Sequence, residues 1–140
     1  MRPPILLDTG PLVAFLKRHD RFHAWALREM NEIAPPLLTC EAVISEACFL
    51  LRHDVDGPVT VLELLHEGLL QIAFDLQTEI MALRRLLRRY RDRRISVADA
   101  CLIRMAELYA GGVVFTLDND FRIYRINGRQ VIPTRMPAVS

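Results

Sequence analysis

The chain has 140 residues, 51% hydrophobic and 25% charged, with a formal net charge of +1. That length and composition suit one folded domain, residues 1–140, and exclude a disordered chain. No apolar run reaches the roughly 20 residues of a membrane span, and no basic segment leads into an apolar export signal. A cytoplasmic protein with no membrane partner is expected. The three cysteines, Cys40, Cys48 and Cys101, are odd in number and lie in apolar stretches without a C-x-x-C pair, so reduced core thiols are expected.

Ile5, Leu6 and Leu7, bounded by prolines in front and by Gly10 and Pro11 behind, read as a short buried strand that ends on Asp8. The spacing then predicts helices over 11–18 and 22–33, the second carrying Phe22, Trp25, Ala26 and Met30 as a core or interface stripe. Pro35 and Pro36 stop it. A strand over 37–39 follows, with Thr39 as cap of a helix over 40–52 and Glu41 in its first turn, where a negative charge suits the dipole. Further expected elements are a turn over 54–58, a helix over 59–67 ended by Gly68, a strand over 69–74 and helices over 77–91 and 96–110. A strand over 113–116, a helical turn over 118–124 and an edge strand over 131–132 close the chain, with a loose tail from Pro133. Strands alternating with helices argue for an α/β fold with a parallel sheet and right-handed crossovers.

Four acids stand out. Asp8 and Asp118 each follow a hydrophobic strand, Glu46 sits amid Ile44, Ala47, Cys48 and Phe49, and Asp99 lies one turn into its helix. Two strand ends and two helices can converge at one edge of a parallel sheet, where ligands bind in open α/β folds. Each acid also has a plain structural use. Asp8 and Asp118 can cap the turns after them, Glu46 can be half exposed, and Ser96 with Asp99 fits an S-x-x-D capping box. Converging carboxylates repel, however, and a chain that tolerates them usually neutralises them with a cation. All-oxygen donors without His or Cys suit Mg²⁺ or Mn²⁺, which can make a nucleophile of water. The four histidines have no metal-site spacing.

Seven arginines fall within residues 84–94, and the stretch 79–94 carries a net +5 while the remainder is net acidic. Arg84, Arg88 and Arg91 are expected on one helical stripe, either as a solvated face or as an RNA phosphate-binding surface.

The blocks L-L-D-T-G-P-L, E-A-V-I-S-E-A, S-V-A-D-A-C-L-I and V-F-T-L-D-N-D-F, in this order, resemble the PIN domain, and most of all the VapC-type toxins of prokaryotic toxin–antitoxin pairs. The resemblance runs from about Ile5 to Ile132. It implies a PIN-like α/β/α sandwich with a central parallel sheet and a Mg²⁺- or Mn²⁺-dependent endoribonuclease. Its catalytic acids would be Asp8, Glu46, Asp99 and Asp118, of which Asp8, Asp99 and Asp118 would hold metal. Thr9 and Thr116 would orient the site, Asp120 would assist a second ion, and Glu41 competes with Glu46. It further implies an RNA substrate, a homodimer and a cognate antitoxin whose segment occupies the acidic groove, and the helical stretch 22–30 with Trp25 is expected as a docking surface for it. A non-catalytic PIN-fold module for RNA or protein is the alternative. A haloacid-dehalogenase-like phosphatase also begins with a strand ending in Asp, but needs a second Asp where Gly10 stands and a later Lys, whereas the only lysine is Lys17.

Overall fold

A computed structural model describes residues 2–138. The first hydrophobic run forms β1 (Ile5–Leu7), and the other strands of the main sheet are β2 (Leu37–Thr39), β3 (Leu70–Ile72), β4 (Val113–Phe115) and β7 (Thr134–Arg135). They are ordered β3-β2-β1-β4-β7, and every pairing is parallel. Strands covered on both faces need apolar side chains at successive positions, which is why β1 reads as an unbroken aliphatic run. The alternation of side chains then divides the core in two. Leu6 and Val114 face one layer with Leu83, Leu86, Leu102 and Met105. Leu7 and Phe115 face the other with Leu12, Ile33, Leu51 and Val61.

The first layer is built on α5 (Ile80–Arg89) and α6 (Val97–Leu108). The second uses α1 (Thr9–Leu16), α2 (His23–Glu32) and α4 (Gly57–His66), and α3 (Glu41–Leu50) contributes to both. The result is the expected α/β/α sandwich. The chain leaves β1 toward β2 and β3 on one side, and returns to β4 and β7 on the other. The crevice at the carboxyl ends of β1 and β4 is therefore the topological switch point. Among the described residues no helix is long and apolar enough to cross a membrane. All three cysteines are free thiols, with Cys40 and Cys101 fully buried and Cys48 half-buried.

Several expectations are corrected. Helix α1 starts two residues early because Asp8 caps it, and Pro11 falls within a first turn that needs no intrahelical N–H. Thr39 does not cap α3. It stays in β2, where its hydroxyl donates to the Leu7 carbonyl at 2.9 Å, and Cys40 takes the cap position without a side-chain bond. Helix α5 ends at Arg89 and a 3₁₀ turn covers Arg91–Arg93, which takes Arg91 off the expected stripe.

Residues 131–132 are not the sheet edge. Gln130–Val131 (β6) pairs antiparallel with Arg125–Ile126 (β5) around Asn127 and Gly128, whose positive φ angles suit a tight hairpin. The edge is β7, in the tail expected to be loose. An open β4 edge needs backbone partners, and the Thr116 N–H donates to the Arg135 carbonyl at 3.2 Å. The Arg135 guanidinium meets Glu29 at 2.8 Å and Glu32 at 3.0 Å, tying the tail to α2. Two residues are too few to show periodicity in the sequence.

Candidate active site

Asp8 is held on three sides. Its backbone N–H donates to the Phe115 carbonyl at 3.0 Å, its Oδ1 accepts from the Thr9 N–H at 2.8 Å, and its Oδ2 accepts from the Thr116 hydroxyl at 2.6 Å. The same Thr116 oxygen accepts from the Asp118 N–H at 2.9 Å. One buried hydroxyl thus couples the two strand-end acids. Asp118 in turn caps the 3₁₀ turn Asn119–Arg122, its Oδ1 accepting from the Asp120 N–H at 2.9 Å.

Asp99 serves two ends at once. Its backbone N–H donates to Ser96 Oγ at 3.0 Å, the serine half of the expected capping box. Its carboxylate is left over for other work, and Oδ2 accepts from the Tyr124 hydroxyl at 3.2 Å. Tyr124 is fully buried and packs edge-on against Tyr90 and Phe121. Sequence reasoning missed it, because an aromatic 25 residues from Asp99 looks like any core side chain.

Glu46 owes its apolar neighbours to helix phase. Val43, Ile44 and Ala47 point into the protein while Glu46 is exposed. It joins Asp8, Asp99 and Asp118 around one open depression of about 290 Å³, whose other walls are Thr9, Gly10, Leu50 and Leu117. Glu41, the competitor, does not line it, and neither does Asp120, which meets Arg93 at 3.6 Å. Thr9 Oγ1 is buried in this wall without a hydrogen-bond partner among the described residues.

Among the described residues no basic side chain lines the depression, and the electrostatics show the cost. Burial above all pushes Asp8 up to about 7, with the charges of Asp99 and Asp118 adding to it against the bonds from Thr116 and Thr9. Burial likewise pushes Asp99 up to about 6, with Asp118 and Glu46 adding and the bond from Tyr124 opposing. Among the described residues no three acid, His or Cys side chains already stand around one point as a closed metal cage. The donor set nonetheless fits a hard cation: carboxylate oxygens, an orphaned hydroxyl and uncompensated negative charge.

On α5, Arg84, Arg85 and Arg88 with Met81 line a separate open depression of about 320 Å³, which Arg91 does not reach. Ala82, Leu83 and Leu86 bury the opposite face.

The PIN domain family matches residues 5–127. Ribonuclease VapC26 of Mycobacterium tuberculosis is 29% identical over 116 residues, which is 81% of this chain and 86% of the relative. Among solved structures, VapC20 of Mycobacterium tuberculosis, described as a sarcin-ricin loop cleaving toxin, is similar with a TM-score of 0.72 and 22% identity, covering 83% of this chain and 91% of its own. At that identity the likeness concerns the fold. A match that takes in four of the five main-sheet strands and all four acids, on the expected parallel sheet, makes this chain a member of the PIN-domain family.

Proposed function

We propose that the protein is a Mg²⁺- or Mn²⁺-dependent endoribonuclease, the toxin of a toxin–antitoxin pair, acting as a single cytoplasmic domain over residues 1–140. The observation that carries this reading is the set of four carboxylates around one depression that, among the described residues, no cationic side chain lines. The ribonuclease name of one relative and the toxin description of one fold neighbour agree with it. An RNA substrate, a cognate antitoxin and a homodimer belong to the same proposal. A non-catalytic module would have no use for acids held together at a cost in charge. Cleavage of a structured RNA in Mg²⁺ that stops in chelator tests the reading.

Asp8, Asp99 and Asp118 would hold the cation, with Glu46 across the depression. Bound there, a divalent ion supplies Lewis acidity to a phosphodiester and makes water a nucleophile at neutral pH. The chain's own share is to keep the acids placed before substrate arrives. Thr116 sets the distance between Asp8 and Asp118, Thr9 offers a free hydroxyl in the wall, and the Tyr124 hydroxyl orients Asp99. Glu46, the exposed member, is the acid placed to accept a proton from solvent.

Tyr124 acts through Asp99 and is a positioning residue. Tyr124→Phe should lower Mn²⁺ affinity about tenfold, as loss of a partner to a metal ligand does, and addition of Mn²⁺ should then raise its melting temperature less than that of the wild type. Mn²⁺ titration by calorimetry checks it, and an unchanged affinity would leave Tyr124 a packing residue.

The α5 arginines would follow the RNA backbone. Replacing Arg84, Arg85 and Arg88 together with Gln should weaken all RNAs alike and reduce the slope of log affinity against log salt by about 2, from three lost phosphate contacts. An unchanged slope would return α5 to a solvated face.

A further inference from the structure

Leu117 walls the acid depression on one side and a second opening of about 320 Å³ on the other. Arg21, Phe22, Asn119, Arg122 and Met136 surround that opening with Leu117, and among the described residues no acid lines it. Asn119 and Arg122 ride on the 3₁₀ turn that Asp118 caps, so the turn that places an acid on one side of Leu117 places a cation on the other. Arg21 and Phe22 come from the loop before α2. Asp20 Oδ1 accepts the Phe22 N–H at 2.8 Å and fixes that loop, and the Arg21 guanidinium lies 5.1 Å from the Phe22 ring centre. Among the described residues neither Arg21 nor Arg122 has a carboxylate within ion-pair distance.

From this juxtaposition we propose that the opening is a nucleotide subsite of the same nuclease, holding the unpaired nucleotide that flanks the scissile phosphate. The inference rests on the ribonuclease reading above. Arg21 and Arg122 take the neighbouring phosphate, since guanidinium forks match phosphate oxygens. Phe22 and Met136 offer an apolar platform to the base, which any base can stack on. The Asn119 amide both donates and accepts, and reads the edge of that base. Unpaired nucleotides are the ones whose faces and edges are free for such contacts. The α5 groove has three arginines but no aromatic ring, so it follows backbone only. This opening is the part of the surface equipped to prefer one base next to the cut. It also explains the opposite charges on the two sides of Leu117. A polyanion crossing from the subsite needs a cationic group here and a bound cation there.

The test uses the full chain with Asp8→Asn, so that RNA is bound without being cut, and a short fluorescent single-stranded RNA read by anisotropy. Adding Arg21→Gln and Arg122→Gln should weaken binding about tenfold, and Phe22→Leu should weaken it about fivefold or more. Both arginines are exposed, so the double change should not disturb folding even if Phe22→Leu does. In the active protein the double change should raise KM with little loss of kcat. Asn119→Ala should blur the base preference at one position beside the cut. Unchanged RNA affinity in the double variant would overturn the subsite, as would polyglutamate binding there in preference to RNA, which would mark the opening as a seat for an acidic protein segment. Failure of the wild type to cut any RNA would overturn the nuclease reading instead. The anisotropy result would then still decide whether an RNA-binding opening exists.

Discussion

The Asp8→Asn protein should cleave RNA at least about 10³-fold more slowly than the wild type in Mg²⁺, while folding at least as well. Asn has nearly the volume of Asp, and its Oδ1 can still accept the Thr9 N–H that opens α1. The change turns the anionic oxygen that accepts from the Thr116 hydroxyl at 2.6 Å into an amide nitrogen, and removes with it one of the three acids proposed to hold the metal. Asp99→Asn should behave alike, and it separates two uses of one residue. The cap runs from the Asp99 N–H to Ser96 Oγ and leaves the carboxylate out. The variant should therefore keep its helix and melt at least as high as the wild type while losing cleavage. Gel analysis of an end-labelled structured RNA checks both, with melting curves to confirm the fold. Expression of the wild type should slow growth where Asp8→Asn does not. Cleavage by folded Asp99→Asn within tenfold of wild type would remove Asp99 from the site and leave it a capping residue.

The second large effect is on stability, and it needs no substrate. In the folded protein the Asp8 carboxyl titrates near 7 and the Asp99 carboxyl near 6, against 3.8 for an ordinary Asp. Both are raised, so between about pH 4 and pH 7 the folded state holds protons that the unfolded chain has released. Stability should then fall as pH rises through that window, by on the order of a few kcal/mol, and the loss should be complete above it. At pH 8 in chelator, Asp8→Asn should melt about 5 °C or more above the wild type, because it carries no charge to bury. At pH 4 the difference should shrink. Millimolar Mn²⁺ should restore the wild type, by about 2.7 kcal/mol when present at a hundred times its Kd, and should help the variant much less. Thermal melts of the two proteins from pH 4 to 8, with and without Mn²⁺, measure all of this. A wild-type melt that is level across the window and unmoved by Mn²⁺ would mean that the acids do not share strained charge, and the metal-site reading would lose its physical basis.

Charge ties these two expectations together. A site that must hold a cation keeps acids near one another without one, and the fold bears the strain through hydrogen bonds from Thr116 and Tyr124. Those donors lie far from their acids in the chain. Thr116 is 108 positions from Asp8, and Tyr124 is 25 from Asp99.

By itself the sequence determined the strand-end acids, the Ser96 cap, the alternation of strands with helices and the order of the four blocks. Each of these depends on a short window: an aliphatic run, an S-x-x-D spacing, a proline or glycine stop. The apolar residues around Glu46 were legible, but its exposure was not, because Phe49 beside it is itself exposed. Only the tertiary structure decided that Glu46, and not Glu41, shares the depression with Asp99, because that depends on how α3 lies against α6. It also decided that Thr39 bonds Leu7 instead of capping α3, that Tyr124 reaches Asp99, and that Thr134 and Arg135 close the sheet edge. Arg91 left its stripe because α5 stopped at Arg89. The physical reason is common to them all. Capping and periodicity act over three or four residues and leave a pattern in the sequence, whereas a partner across the sheet is chosen by strand register and by which buried polar group would otherwise stand alone, and neither leaves a local pattern to read.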